Sequence, residues 1–448
     1  MRTEPPKGTR DFPPGECAVH SWLLEQMQAV SRLFGYEEWA APVVEHESLY
    51  TRKQGEEIVQ QLYSFPDKAG RRLCLRPELT PSLARLVLQR QHSLPLPAKW
   101  FSVGQCWRYE RMTRGRRREH FQWNMDVIGC SSVGAEAELI AAITTFLRRV
   151  GLSPSDVGVR LSSRKALSEV LSARGVPRDR FSEIAIAVDK VDRSTREEAQ
   201  QELQALQLPT GTVDHILRAT QARSCDELER VLGPGSEAVA ELREVLNVLD
   251  AYGASEWLEV DISVVRGLAY YTGVVFEGFD RTGQLRALFG GGRYDKLLST
   301  LGGDETEDQP AVGFGFGDAV TLELLQERGL LPTHFQSASD LVVPLEDGLK
   351  QYAARAATLL RQSGRTVDLV LESKRLKWAF KRAERNSADR VVFVGQSERE
   401  KGVVAIKHLE SGTQVDVPLE ELSGGAAGED GLQEGSPASP GAALPAPG

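Results

Sequence analysis

Between Lys99 and Ile128, two strand-like runs (Lys99–Gln105 and Gln122–Ile128) bracket a segment in which Arg108, Arg111, Arg114, Arg116, Arg117 and Arg118 fill six of eleven positions. Few arrangements accommodate this. The cations cannot enter a core unpaired, so the runs pair as a hairpin whose strongly positive tip meets solvent or a ligand. A solvated charge run is the plain alternative, but it leaves Glu110, Gln122 and Asp126 unexplained. Gln122 and Asp126 stand four apart, an even spacing that puts both on one face of a strand. A carboxylate and an amide facing Arg108 can hold a small zwitterion.

The hairpin is set in a chain of 448 residues, long enough for two or three domains. Ala135–Val150 carries a helical stripe of Leu139, Ile140, Ile143, Phe146, Leu147 and Val150. Trp257–Val264 alternates as a strand, with Leu258, Val260, Ile262 and Val264 on one face and Glu259, Asp261 and Ser263 on the other. Between them, about residues 163–252, charged helical patterns predict a helical insertion within a sheet domain spanning 1–332. After a linker at 333–339, residues 340–422 alternate strand and helix. Strands are expected at Leu341–Pro344, Thr366–Leu371 and Arg390–Val394, and helices at about Gly348–Gln362 and Lys374–Arg385. That order predicts a small α/β domain with a mixed sheet. From Ser423 to Gly448, 20 of 26 residues are Gly, Ala, Pro or Ser, a tail expected to be disordered.

Charge and cysteine content exclude several classes. The net charge of −9 argues against non-specific coating of a polyanion, yet the arginine-rich tip and a second patch (Lys374, Arg375, Lys377, Lys381, Arg382, Arg385) suit selective docking of one. The five cysteines form no C-x-x-C pair and the histidines no ligand spacing, so no protein metal site is expected. No apolar run reaches membrane-spanning length and the opening residues lack the apolar stretch of a secretory signal. The expected compartment is therefore the cytoplasm, with no membrane partner.

Three further segments bear on chemistry. Arg266-Gly267-Leu268-Ala269-Tyr270-Tyr271 joins a cation to an aromatic wall, as a phosphate or carboxylate pocket needs. Gly290-Gly291-Gly292-Arg293-Tyr294-Asp295 and Gly313-Phe314-Gly315-Phe316-Gly317 permit close approach. Neither glycine cluster has dinucleotide-fold or P-loop spacing.

In this order the segments resemble the class II aminoacyl-tRNA synthetases, and specifically the histidyl-tRNA synthetase family, from Gly8 to about Leu422. Gly8-Thr9-Arg10-Asp11-Phe12 is similar to the family's opening, Trp39-Ala40-Ala41-Pro42 to motif 1, and Arg108-Tyr109-Glu110 through Asp126 to motif 2. Val265–Tyr271 and Gly291–Asp295 resemble the two signatures of the histidine-specific branch. The resemblance implies an α+β fold: a class II antiparallel-sheet catalytic domain with its helical insertion, followed by an anticodon-binding α/β domain. It implies a ligase that activates histidine with ATP and Mg²⁺ to histidyl-adenylate and transfers it to tRNA(His), acting as a homodimer through the motif 1 region.

By the same resemblance, histidine lies among Glu78, Leu79, Thr80, Gln122, Asp126, Tyr270, Tyr271 and Tyr294. Arg108 and Arg266 flank the reacting carboxylate and α-phosphate as the catalytic residues. ATP meets Arg108, Glu110, Arg116, His120 and Arg266, while tRNA meets Arg114, Arg117, Lys374, Arg375, Lys377 and Lys381.

Two positions depart from the family. Where motif 3 reads Gly-Leu-Glu-Arg, with an arginine on the ATP γ-phosphate, this chain reads Gly317-Asp318-Ala319-Val320; a branch that includes plant organellar-type enzymes looks like it there. His120 stands where many relatives have an aromatic residue near adenine. The missing arginine favours an alternative, a non-catalytic synthetase paralogue regulating ATP phosphoribosyltransferase. The C-terminal domain and the arginine-rich loop oppose it. A plain nucleic-acid-binding protein leaves the pocket's carboxylates and tyrosines without a purpose.

Overall fold

An eight-stranded sheet carries the first part of the chain. Its strands are β1 (Glu37–Glu38), β2 (Ala98–Trp107), β3 (Glu119–Ile128), β4 (Val157–Ser163), β5 (Leu258–Val260), β6 (Val274–Asp280), β7 (Phe289–Arg293) and β8 (Ala311–Gly317). Their spatial order is β1-β2-β3-β8-β7-β6-β4-β5. The pairings are antiparallel except at the two edges, where β1 with β2 and β4 with β5 run parallel. The computed structural model describes residues 3–51, 59–188, 196–209, 211–264, 270–303, 306–333 and 335–423. It divides into two compact units, Met1–Leu331 and Pro332–Gly448.

Period-two alternation on β3 decides which way the sheet faces. Trp123, Met125 and Val127 enter the apolar layer built from the helices Pro14–Leu33 and Gly134–Arg149. There Trp123 meets Phe146 at 5.2 Å and Phe314 edge-on at 4.9 Å. Each such fully buried side chain contributes about 1.5–3 kcal/mol. Gln122, Asn124 and Asp126, also buried, are left for the opposite face. The helical stripe is as expected, with Leu139, Ile140, Ile143, Phe146, Leu147 and Val150 all buried. The helical insertion runs from Arg164–Ser172 to Glu237–Ala251. Two of its helices start on serine caps, Ser224 accepting from the Glu227 N–H and Ser236 from the Val239 N–H, each at 3.2 Å.

Some expected elements are shorter or shifted. The hairpin strands extend to Ala98–Trp107 and Glu119–Ile128, leaving residues 108–118 as the tip. The strand expected over Trp257–Val264 ends at Val260, and Asp261 and Ser263 are buried in the turn that follows. The Asp261 carboxylate accepts from the Ser263 N–H (3.0 Å) and hydroxyl (2.6 Å), turning the chain, and pairs with Arg223 at 3.1 Å. Buried polar groups that satisfy each other in a turn can continue the alternation of a strand in the sequence.

The second unit holds a five-stranded mixed sheet: β9 (Asp340–Pro344), β10 (Val367–Leu369), β11 (Arg390–Val394), β12 (Val403–His408) and β13 (Gln414–Pro418). Its order is β10-β9-β11-β12-β13, with β9 parallel to both neighbours and the last three strands antiparallel. Asp340, fully buried, accepts from Arg390 Nε at 2.6 Å and pairs with Arg365. Of the expected linker, Gln336 donates to Asp389 at 2.8 Å and the Ser339 N–H to the Thr366 carbonyl at 2.8 Å, which ties these residues to this unit.

The basic helix begins at Leu376, not Lys374: Arg375 is its extended N-cap, and Lys374 sits outside on Glu372 at 2.7 Å. Lys374, Arg375, Lys377 and Lys381 therefore do not share one helix. Lys377 and Lys381 do, four residues apart on one face. The expected tail falls, except for Ser423 in the closing turn, outside the described residues. Among the described residues, no helix is long and apolar enough to cross a membrane.

Candidate active site

The polar face of β3 opens into a cavity of about 710 Å³. Its floor exists because β8 is glycine-rich: a Cβ at Gly313 would stand 1.9 Å from Asp126 Oδ1, and one at Gly315 2.7 Å from Gln122 Nε2. No side chain other than hydrogen leaves room for those two groups to lie across the neighbouring strand. Gly313 is the register partner of Asp126.

Glu78 enters from the segment before the helix Thr80–Arg90. Arg76 anchors that segment by donating to the carbonyls of Gln105 (2.9 Å) and Ala41 (2.8 Å). Tyr270 donates to Glu78 Oε2 at 3.2 Å, and Tyr294 to Asp126 Oδ1 at 2.6 Å. The second oxygen of each carboxylate, Glu78 Oε1 and Asp126 Oδ2, is buried without a protein partner. Burial raises Asp126 to about 7, the Tyr294 hydrogen bond opposing and the Glu78 charge adding. Burial also raises Glu78, against the pull of Arg108. Two buried carboxylates, each with an oxygen to spare, form a receptor for a compact cation with several N–H donors.

Arginines of the hairpin tip also line the cavity. Arg108 donates through Nε to the Pro77 carbonyl at 2.9 Å and lines the cavity. Arg116 pairs with Glu110, and Arg114 with Glu323 and Glu327 on the helix Asp318–Glu327. Arg118 covers the Tyr109 ring at 3.9 Å. Much of the tip's charge is thus matched within the protein. His120 lines the cavity, and burial, followed by the charge of Arg108, lowers it to about 4. At neutral pH it presents an uncharged planar ring, which can stack.

The structure therefore brings together Glu78, Thr80, Arg108, Glu110, Arg116, Arg117, His120, Gln122, Tyr270, Tyr271 and Tyr294 on one cavity, with Asp126 beneath Tyr294. Arg117, expected at tRNA, lines this wall too. The side chain of Leu79 points away, fully buried in an apolar cluster with Leu83, Cys106 and Tyr271. Its sequence neighbours face the cavity, so its own side chain must face the core. Arg266 lies outside the described residues. Arg293 of the glycine signature faces away, clasping Glu136 through two 2.6 Å bonds.

Sequence reasoning missed what Asp318 does. Fully buried, it accepts from Arg10 Nη2 (2.9 Å) and the Phe121 N–H (2.9 Å) and contacts His20 Nε2 at 3.0 Å. Burial alone would raise its carboxyl; His20, Arg10 and the Phe121 N–H together hold it low. Arg10 also reaches Glu119 at 2.7 Å, so the opening segment is bolted to the hairpin base and to the start of the helix Asp318–Glu327. Asp318→Ala, which strands these buried partners, is expected to cost about 3–5 kcal/mol. A thermal scan of the full chain checks it, an unchanged midpoint contradicting it.

The sequence model of the histidyl-tRNA synthetase family matches residues 8–318, and that of the anticodon binding domain residues 341–426. At 55% identity over 93% of this chain and 85% of the relative, the chain is similar to the chloroplastic/mitochondrial histidine–tRNA ligase of Arabidopsis thaliana. At 39% identity over 93% of this chain and 96% of the relative, it is similar to the histidine–tRNA ligase of Opitutus terrae. The fold is also that of a crystal structure of histidyl-tRNA synthetase from Nostoc sp. PCC 7120, with TM-score 0.78 at 24% identity, covering 94% of this chain and 99% of that one.

Proposed function

The chain belongs to the histidyl-tRNA synthetase family, and on that footing we propose that it activates histidine with ATP and transfers it to tRNA(His), the cavity on β3 being the site of both steps. The observation that carries the reading is the pair of spare buried oxygens on Glu78 and Asp126. They fit the α-ammonium and imidazole N–H groups of histidine, with Thr80, Gln122 and the three tyrosines around them. Arg108, beside Glu78, and Arg266 then bracket the histidine carboxylate and the ATP α-phosphate.

The carboxylate oxygen attacks the α-phosphorus, the bond to the β,γ-diphosphate breaks, and pyrophosphate leaves. The acyl group next passes to a ribose hydroxyl at the tRNA end, releasing AMP. Positioning and fixed positive charge do the work, without a side-chain nucleophile. His120 offers a neutral face to adenine. Glu110 reads the exocyclic amine once its pairing with Arg116 is exchanged for the ligand, which frees Arg116 for phosphate.

Among the described residues no group of three His, Cys, Asp or Glu side chains gathers to hold a metal ion. The site fits Mg²⁺ carried on ATP, an ion that keeps phosphate and water as most of its ligands, with Glu277 as a carboxylate on the cavity wall. When bound, the ion would neutralise charge on the departing diphosphate.

For tRNA we propose the tip arginines Arg114 and Arg117 and the second unit's Lys374, Arg375, Lys377 and Lys381. We also propose a homodimer through the motif 1 region, where Pro42 and Val44 are exposed. Sedimentation equilibrium is expected to give twice the chain mass, and a fully active monomer contradicts it. The compartment proposed is the cytoplasm. Because the Arabidopsis relative is named chloroplastic/mitochondrial, imaging of the full-length protein against both organelles tests it.

The reading as a whole is tested by exchange of labelled pyrophosphate into ATP. Histidine is expected to support exchange and other amino acids are not; no histidine-dependent exchange contradicts the reading and favours the regulatory paralogue.

A further inference from the structure

Helix Asp318–Glu327 presents Val320, an uncharged side chain, to the cavity where the family pattern carries a cation. Val320 is 8% exposed and belongs to the main apolar cluster. Gly115 of the hairpin tip, at φ +70°, lies so close that a Cβ on it would stand 3.0 Å from Val320 Cγ2. The tip seals this side of the cavity against the helix.

The turn between β6 and β7 approaches the same place from the other side. Phe289 pairs with Phe316, and the Leu288 carbonyl accepts from the Gly317 N–H at 3.2 Å, so the residues entering β7 run alongside the start of the helix. Arg286 comes two residues earlier and lines the cavity together with Ala287, Leu288, Ala319 and Val320. The turn is rigid at its root. Asp280 accepts from the Thr282, Gln284 and Leu285 N–H groups at 3.1, 3.1 and 3.3 Å, which fixes the path into Arg286.

Other arginines meet the cavity from the hairpin tip. Arg108 lines the cavity near enough to Glu78 to act on its charge, Arg116 pairs with Glu110, and Arg114 is held by two glutamates of the helix. With the ATP α-phosphate at Arg108, the diphosphate extends into the remainder of the same cavity, which Arg286 lines from an element independent of the tip.

We propose that Arg286 is a binding residue for the β,γ-diphosphate of ATP, supplying from the β6–β7 turn the cation that Val320 does not. A guanidinium matches two phosphate oxygens at once, and an arginine on a turn reaches the ligand without being buried in the apolar cluster around Val320. The proposal rests on the cavity being an ATP site.

The test uses the full-length chain, its Arg286→Ala and Arg286→Lys variants, and two ligands: ATP with Mg²⁺, and a histidyl-sulfamoyl-adenosine that keeps the adenosine and histidine parts but has no β,γ-phosphates. For Arg286→Ala, ATP affinity and the ATP KM in pyrophosphate exchange are expected to weaken by about 10- to 100-fold. Affinity for the sulfamoyl compound and the histidine KM should stay at wild-type values. Arg286→Lys, which keeps a charge without the fork, should fall between. Equal losses for both ligands, or unchanged ATP affinity, overturn the assignment of Arg286 while leaving the ATP site standing. A wild-type chain that binds the sulfamoyl compound but not ATP overturns the ATP reading itself.

Discussion

Replacing Asp126 with asparagine is expected to raise the histidine KM by at least about 100-fold while making the unliganded protein more resistant to unfolding above pH 7. Both effects have one cause. Asp126 is 1% exposed, its Oδ1 takes the Tyr294 hydroxyl, and its Oδ2 has no protein partner. The buried anion is costly, and burial has raised its carboxyl to about 7. A carboxyl raised on folding lends stability that is intact below the ordinary aspartate range and lost as pH rises through about 7. Asparagine keeps the acceptor for Tyr294 and removes the charge, recovering roughly 2–4 kcal/mol at pH 8.

The ligand loses what the apo protein gains, because truncating one side of a buried charge pair costs about 2–5 kcal/mol. In the unsubstituted protein the histidine KM should rise as pH falls below about 7, where Asp126 takes up its proton. Urea unfolding at pH 6 and 8 and exchange kinetics on both proteins check this. A destabilised Asp126→Asn protein, or one with wild-type KM, contradicts it.

Removing Pro332–Gly448 is expected to leave pyrophosphate exchange largely intact while charging of tRNA(His) falls by about 10²–10⁴-fold. Each unit has its own apolar clusters, Trp123 and Phe146 in the first, Val342, Leu360 and Val392 in the second, so the first does not rely on the second to bury its core. Every described side chain placed at histidine or ATP belongs to the first unit. What the second unit adds is a further grip on the same tRNA, and joining two binding modules raises avidity by about 10²–10⁴. Lys377 and Lys381 line one exposed face of its helix, with Trp378 and Arg382 stacked at 5.2 Å beside them. The loss should shrink at low salt, where the remaining arginines bind phosphate more strongly. Normal charging by the truncated protein would remove the anticodon-binding role from this unit.

The hairpin was readable because its strands are continuous in sequence and the even spacing of Gln122 and Asp126 fixes their common face. Tyr270 and Tyr271 show locally only as an aromatic wall beside Arg266, and Glu78 and Tyr294 could be placed only through the family resemblance. Nothing local connects Tyr270 to Glu78, 192 residues away. The Asp318 network was invisible for the same reason: Arg10 meets Asp318 across 308 residues, and motif 3 showed only what it had lost. The strand over Trp257–Val264 proved shorter because Asp261 and Ser263, which satisfy each other in a turn, continue the same alternation. Lys374 misled because a lysine beside a helix looks, in sequence, like a lysine in it. Leu79 stands between two residues that line the cavity, Glu78 and Thr80, while its own side chain turns to the apolar cluster.

Charging of tRNA(His) with labelled histidine by the full-length protein tests the central claim most directly. Formation of an acid-stable histidyl-tRNA that requires ATP, and that fails when histidine is replaced by another amino acid, is the result the structure predicts. A protein that binds histidine yet yields no histidyl-tRNA with ATP and Mg²⁺ present would contradict it.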